Sequence, residues 1–362
     1  MSGDVDAGER TPGVQDVSCE PRTASLANMV SQQANDVHSI SVVIPVYQGE
    51  RTLGPILAEI AQFSTESITP DGAAFRVTEV VLVYDNGGDA SDVVIRELEA
   101  RYDFVMPVWL SRNFGQHAAT LAGIASSSGD WVVTLDEDGQ HDPADLPGLL
   151  DVALNKQVQV VYGKPLNPPP HGVFRNAASK GAKRIVNQLF VGSNAQDFNS
   201  YRLILGSVAR GVAAYSGSGV YLDVALGWIA GSYATAPVTL RSESRDSGYS
   251  LRRLLSHFWR LVISSGTRGL RVVSVLGVIL AAVGLISALW IVVVKLTFGI
   301  DSDGWASTNV IILMSGGAVL FSLGIVAEYI GVSVNMAMGR PGYVISTDPA
   351  DGPLGYPKRV VR

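Results

Sequence analysis

Val272 to Val294, VVSVLGVILAAVGLISALWIVVV, runs 23 residues without a charged side chain. A helix rising about 1.5 Å per residue would carry that run across a hydrocarbon layer of roughly 30 Å, so a membrane-spanning helix is predicted at 272–294. Val310 to Ala327, VIILMSGGAVLFSLGIVA, is a second uncharged run, closed by Glu328 and Tyr329, and predicts a second span at 310–330. Two buried helices of a soluble protein would rarely be this apolar on every side.

Charge around the runs sets an orientation. Seven arginines lie between Arg241 and Arg271 against Glu243 and Asp246, whereas the connection between the runs carries Lys295 against Asp301 and Asp303. Arg340, Lys358, Arg359 and Arg362 follow the second run. The basic flanks predict a cytoplasmic-membrane protein with both termini and the large N-terminal part on the cytoplasmic side. Cys19 is the single cysteine, so no internal disulfide forms, in keeping with a reducing compartment. No basic stripe with interleaved aromatics occurs before the runs, which excludes nucleic acid as a partner. Residues 1–38 are polar and aperiodic and predict a disordered extension without a secretory h-region.

From Ile40 the pattern becomes α/β. Apolar runs at Ile40–Tyr47, Thr78–Tyr84, Phe104–Leu110, Trp131–Leu135 and Val158–Gly163 predict strands, and Leu53–Phe63, Ser91–Tyr102, Gln116–Ser127 and Ala144–Leu154 have helical spacing. The alternation predicts a Rossmann-like, mostly parallel sheet with helices on both faces, whose ligand site lies beyond the carboxyl ends of the strands. Polar residues gather there: Tyr84-Asp85-Asn86, Ser111-Arg112-Asn113 and Asp136-Glu137-Asp138. The first strand-to-helix turn, PVYQGERTL, lacks the glycine fingerprint of a dinucleotide site. An EF-hand fails as well, since His141 and Pro147 fall where its glycine and glutamate belong. Asp136 and Asp138, with the turn at Gly139 and the amide of Gln140, form an oxygen donor set suited to Mg²⁺ or Mn²⁺. Glu137, by alternation, should point elsewhere.

The ordered strings SVVIPVYQGE, VLVYDNGGDAS, LSRNFGQHAA and LDEDGQHDP resemble the nucleotide-sugar half of family 2 inverting glycosyltransferases with the GT-A fold. With QDFNSYRLI (Gln196–Ile204), SGYSLRRLL (Ser247–Leu255), two apolar runs and AEYIGVSVNMAMGRPGYVI, the chain is most similar to the membrane-anchored polyisoprenyl-phosphate glycosyltransferases, over roughly Ser39 to Ile345. The resemblance implies a nucleotide-sugar donor and a polyprenyl phosphate acceptor, and leaves a homo-oligomer open. It assigns Asp136, Asp138 and Gln140 to the cation and donor diphosphate, and Pro45, Tyr47, Glu50 and Asp85 to the nucleoside. Arg112, at the third strand end, joins the donor set. Asp197 and Arg202 fall near the reacting sugar, while Arg245, Ser247 and Tyr249 face the acceptor phosphate. The chain departs from many relatives at Ser200, where they have Asp, at Tyr84-Asp85-Asn86, where they have Asp-Asp-Gly, and at Gln116-His117, where they have Lys-Glu. The organisation expected is an extension at 1–38, a catalytic domain at 39–240, an amphipathic juxtamembrane segment at 241–271, two spans within 272–330, and a cytoplasmic tail at 331–362. A processive polysaccharide synthase would show Gln-x-x-Arg-Trp near the membrane and more spans. A silent nucleotide-sugar-binding subunit would not need Asp136, Asp138 and Gln140 intact.

Overall fold

The computed structural model describes residues 37–166, 198–216, 222–241 and 304–351, with isolated positions between 277 and 297. The predicted extension, apart from Val37 and His38, lies outside the described residues. So do Asp197, Arg245, Ser247, Tyr249 and, apart from Arg241, the juxtamembrane segment.

The five predicted strands are present as β1 (His38–Val46), β3 (Ala74–Tyr84), β4 (Val105–Leu110), β5 (Trp131–Thr134) and β6 (Val160–Pro165), with a short β2 (Ser67–Ile68) pairing β3. Ile40, Val42, Val43, Ile44 and Val46 are all fully buried, as expected of a strand covered on both faces. Between them run α1 (Leu53–Ile60), α2 (Ser91–Arg101), α3 (Gln116–Ala125) and α4 (Leu146–Lys156). The last begins two residues later than predicted, because Pro143–Asp145 forms a 3₁₀ turn capped by the Asp142 carboxylate.

Beyond the predicted elements are β7 (Arg202–Leu205), α5 (Gly206–Tyr215), α6 (Leu222–Ile229), β8 (Tyr233–Val238) and β9 (Ile345–Ser346), while the second predicted span falls within α7 (Trp305–Ala337). The sheet runs β8-β6-β7-β5-β1-β3-β4-β9. β5, β1, β3 and β4 are parallel, as are β6 and β8, whereas β7 and β9 run antiparallel to their neighbours. Apolar residues of α1, α2 and α4 fill one face, and those of α3, α5 and α6 the other. α3 lies close on the sheet because Gly123 has no Cβ; one placed there would sit 2.4 Å from Val43 Cγ1.

The chain builds outward from β1 through β3 to β4, then returns with α3 to β5 on the other side of β1. That reversal opens a crevice at the carboxyl ends of β1 and β5, where a parallel α/β sheet binds its ligand. Pro45 is buried in β1 just past the stretch paired with β5, so its missing N–H removes no ladder bond there.

α7 is 33 residues long, about 50 Å at the standard helical rise. Met314–Ala337 is long and apolar enough to cross a membrane, and its most apolar window is not buried against the described residues. Its bounds differ from the predicted 310–330: Glu328 does not end the helix, which continues to Ala337. Most of 272–294 lies outside the described residues; the positions described between 277 and 297 are helical. Of the predicted tail at 331–362, residues 331–337 belong to α7, 343–348 return to the sheet edge at β4, and 352–362 lie outside the described residues.

Candidate active site

The β5 end delivers the acidic cluster to the rim, and each side chain has its own partners. Asp136 Oδ1 accepts from Gln116 Nε2 at 2.6 Å and Oδ2 from Ser200 Oγ at 2.5 Å, so both oxygens are held by neutral donors on other segments. Glu137 turns away from its neighbours and accepts the backbone N–H groups of Tyr47 (2.8 Å) and Gln48 (3.0 Å), bracing the β1–α1 loop. Asp138 Oδ1 accepts from Gln140 N at 3.0 Å, closing a turn in which Gly139 takes φ +75°. Behind the turn, buried His141 uses Nδ1 to accept the Asp136 N–H at 3.2 Å and stacks on Tyr201, with ring centroids 5.0 Å apart. Arg241 closes the far side: its N–H donates to the Gln140 carbonyl at 2.9 Å and its guanidinium pairs with Asp142 (2.7 Å) and Glu59 (2.9 Å).

The neighbouring strand ends join the same frame. Asp85, buried at the end of β3, accepts the N–H groups of Phe114 at 2.7 Å and Gly115 at 2.8 Å. Glu50 accepts from Ala90 N at the start of α2, and its own N–H donates to Asp89. Tyr47 is exposed, and Arg112 lies 4.0 Å from the Phe114 ring centroid on the open side. Pro45, Tyr47, Glu50, Asp85, Arg112, Asp136, Asp138 and Gln140 therefore all lie on or beside one rim. Arg202 is set behind this rim, near enough for the Asp136 charge to act on it. It is buried on β7, ion-paired with Asp223 of α6, and donates from Nε to Thr134 Oγ1 at 3.1 Å.

Several of these partners were not singled out as site residues from the sequence. Gln116 and Ser200 stood out only as departures from a family pattern, and His141 only as a misfit to an EF-hand loop. The signal available was positional, since Gln116 opens a helix directly after Gly115 and so faces the strand ends.

Burial holds Asp85, Glu137 and Asp138 above the ordinary carboxylate range. Backbone N–H donors partly offset this in each case, while the Asp136 charge adds to it at Asp138 and the Asp89 charge at Glu137. A carboxyl with a raised folded-state pKa binds its proton more tightly when folded, so its contribution favours folding at acid pH and is lost as pH rises through the raised value. Asp130 and Asp348 are shifted downward, and their contributions disappear only below the ordinary range. Cation-free protein is thus expected to gain stability as pH falls from neutral toward the ordinary carboxylate range. Thermal midpoints in chelator test this, and a midpoint that declines throughout acidification counts against it. Added Mg²⁺ or Mn²⁺ should flatten the slope by offsetting the charge at Asp136 and Asp138.

The Glycosyl transferase family 2 model matches residues 41–207, a span that contains every rim residue described above. The undecaprenyl-phosphate 4-deoxy-4-formamido-L-arabinose transferase of Klebsiella pneumoniae (strain 342) is 30% identical over 320 residues, 85% of this chain and 93% of its own length. The protein of the same name from Yersinia enterocolitica serotype O:8 is 29% identical over 324 residues, 86% of this chain and 94% of its own. Glucosyl-3-phosphoglycerate synthase from Mycobacterium tuberculosis aligns with a TM-score of 0.46 and 18% identity, over 72% of this chain and 85% of that one. With the rim acids inside the matched span and the likeness to polyprenyl-phosphate sugar transferases running over most of its length, the chain belongs to glycosyltransferase family 2 and is a glycosyltransferase.

Proposed function

We propose that the enzyme transfers a sugar, with inversion, from a nucleotide diphosphate sugar to a polyprenyl phosphate at the cytoplasmic face of a membrane, assisted by Mg²⁺ or Mn²⁺. The observation that carries this is the rim itself: paired carboxylates at the crevice of a family 2 domain whose chain also bears an uncovered apolar helix. The relatives' names specify an undecaprenyl phosphate acceptor for those proteins.

The donor set fits a hard divalent cation. Asp136 and Asp138 are close enough for the charge of one to raise the pKa of the other, a repulsion that a bound cation relieves. Among the described residues no group of three or more His, Cys, Asp or Glu side chains makes a metal site. The proposed cation would be held by two carboxylates and the Gln140 amide, with positions left for donor phosphates. When bound, the ion supplies Lewis-acid stabilisation of the departing nucleoside diphosphate.

The protein's own residues do the positioning. Gln116 and Ser200 hold the Asp136 carboxylate, Glu137 braces the Tyr47–Gln48 loop, and Asp85 draws in the Phe114–Gly115 loop over the donor crevice. In the transfer, an acceptor phosphate oxygen bonds to the anomeric carbon as the bond from that carbon to the donor diphosphate breaks. An anionic phosphate needs no strong base, so Asp197 would orient a sugar hydroxyl or take a residual acceptor proton. Arg245, Ser247 and Tyr249 are proposed for the acceptor phosphate. Arg202, committed to Asp223, would support the β5–β7 pairing behind the rim.

The return of residues 343–348 to the sheet supports a two-span topology. If α7 crosses once, its far end and the catalytic domain share a side only when an odd number of crossings precedes it. The uncharged run at 272–294 is the segment suited to supply one. The arginines from Arg241 to Arg271 favour the cytoplasm for that shared side.

Membranes containing the enzyme, given polyprenyl phosphate and radiolabelled UDP-, GDP- or dTDP-sugars, are expected to yield label extractable into organic solvent. EDTA should abolish the product and Mg²⁺ or Mn²⁺ restore it. Label confined to water with every donor would overturn the acceptor assignment, and transfer indifferent to EDTA would overturn the cation.

A further inference from the structure

We propose that the segment after α7 is a strap that positions the β4–α3 loop for donor binding, with Asp348 as its clamp. The inference builds on the sugar-transfer reading. The Val344 carbonyl accepts from Ser111 N at 3.0 Å, and Ile345 and Ser346 pair antiparallel with Leu110 and Trp109. Asp348 then accepts two bonds from Arg96 of α2, from Nε and Nη2, each at 2.7 Å. Arg96 is itself fixed by Asp92 at 3.1 Å and lies 5.0 Å from the Trp109 ring centroid. Tyr343 packs against the apolar cluster beneath α3 and α5, to which Phe114 also belongs. A two-residue strand is a weak attachment by itself, and the bidentate, charge-assisted pair supplies the second anchor.

The strap attaches where the site is most dependent on one loop. Leu110 and Ser111, its backbone partners, lead directly into Phe114 and Gly115, whose N–H groups hold Asp85, and then into Gln116, which holds Asp136. Leu110 also receives the Asn86 amide through its carbonyl. One short segment therefore links the acids at the ends of β3 and β5. Without the strap, β4 becomes the sheet's open edge and this loop loses its outer backbone partner. Because the strap continues from α7, the placement of the apolar helix and the order of the donor crevice are mechanically joined.

The test uses the full-length enzyme in lipid nanodiscs, comparing wild type, Asp348→Asn, Arg96→Gln and Asp348→Glu. Asp348→Asn and Arg96→Gln should raise the donor KM about tenfold, the scale of a lost charge-assisted pair, with acceptor KM and kcat changed by less than about twofold. Amide hydrogen exchange should rise in residues 109–116 while protection of β1 and β5 stays as in wild type, and Asp348→Glu should recover most of both properties. Unchanged donor KM and exchange in Asp348→Asn would overturn the proposal. So would protection lost across the whole sheet, which would make the clamp a general fold element. Absence of transfer by the wild type would instead sink the sugar-transfer reading, while exchange at 109–116 would still report on the strap.

Discussion

Asp138→Ala is expected to lower sugar transfer by about 10²- to 10³-fold, the scale on which removing a group that stabilises developing charge costs about 3–4 kcal/mol. Asp138 stands exposed at the crevice, where desolvation against the rim and the Asp136 charge oppose its ionisation. A cation placed between the two like charges would relieve that opposition. Alanine also removes the acceptor for Gln140 N–H, at about 1 kcal/mol of local stability, so Asp138→Asn is the necessary partner. Asparagine keeps an oxygen for the turn while removing the negative charge. The two variants should lose nearly the same activity, and Asp138→Asn should keep or raise the wild-type thermal midpoint. Apparent affinity for Mn²⁺ in the presence of donor nucleotide should fall in both. Full transfer by Asp138→Asn without loss of Mn²⁺ affinity would remove Asp138 from the cation site.

The parts of this molecule that are readable in sequence are those set by short-range pattern. β1, β3, β4, β5 and β6 are dense in β-branched and apolar residues, and the helices between them have regular spacing, so their positions follow from covering a parallel sheet on both faces. Glu137 was expected to diverge from Asp136 and Asp138, and its carboxylate is found on the β1–α1 loop instead. Partners that depend on long-range return were not readable. Ser200 reaches Asp136 only because β7 inserts antiparallel between β5 and β6, a pairing of Thr134 with Arg202 that no local periodicity announces. Arg241 latches the Gln140 carbonyl from about a hundred residues away. β9 is two residues long, and the segment it belongs to is anchored by Asp348 on Arg96, 252 positions earlier. An uncharged run located α7 but not its end, because Glu328 closes the run without breaking the helix, which continues to Ala337.

Arg202→Ala should destabilise the catalytic domain by about 3–5 kcal/mol, the usual consequence of leaving one member of a buried ion pair uncompensated. Its side chain is only 4% exposed, and Asp223 opposite is only 14% exposed, so neither charge has ready access to water once its partner is gone. Burial and the Asp223 charge also press the adjacent Tyr162 phenol towards its neutral form, and a phenol carries no positive charge in any state. At roughly 2–4 °C per kcal/mol for a domain of this size, the thermal midpoint should fall by about 10 °C or more. The double replacement Arg202→Met with Asp223→Leu removes both charges and should fall well short of the sum of the two single losses. The resemblance places Arg202 near the reacting sugar, and the same experiment separates that role from a structural one. If Arg202→Ala keeps its midpoint but loses transfer, the guanidinium acts on substrate. If the double variant regains the midpoint and transfers sugar, the buried pair serves chiefly to hold β7 against β5, and through Ser200 to keep the Asp136 carboxylate in place.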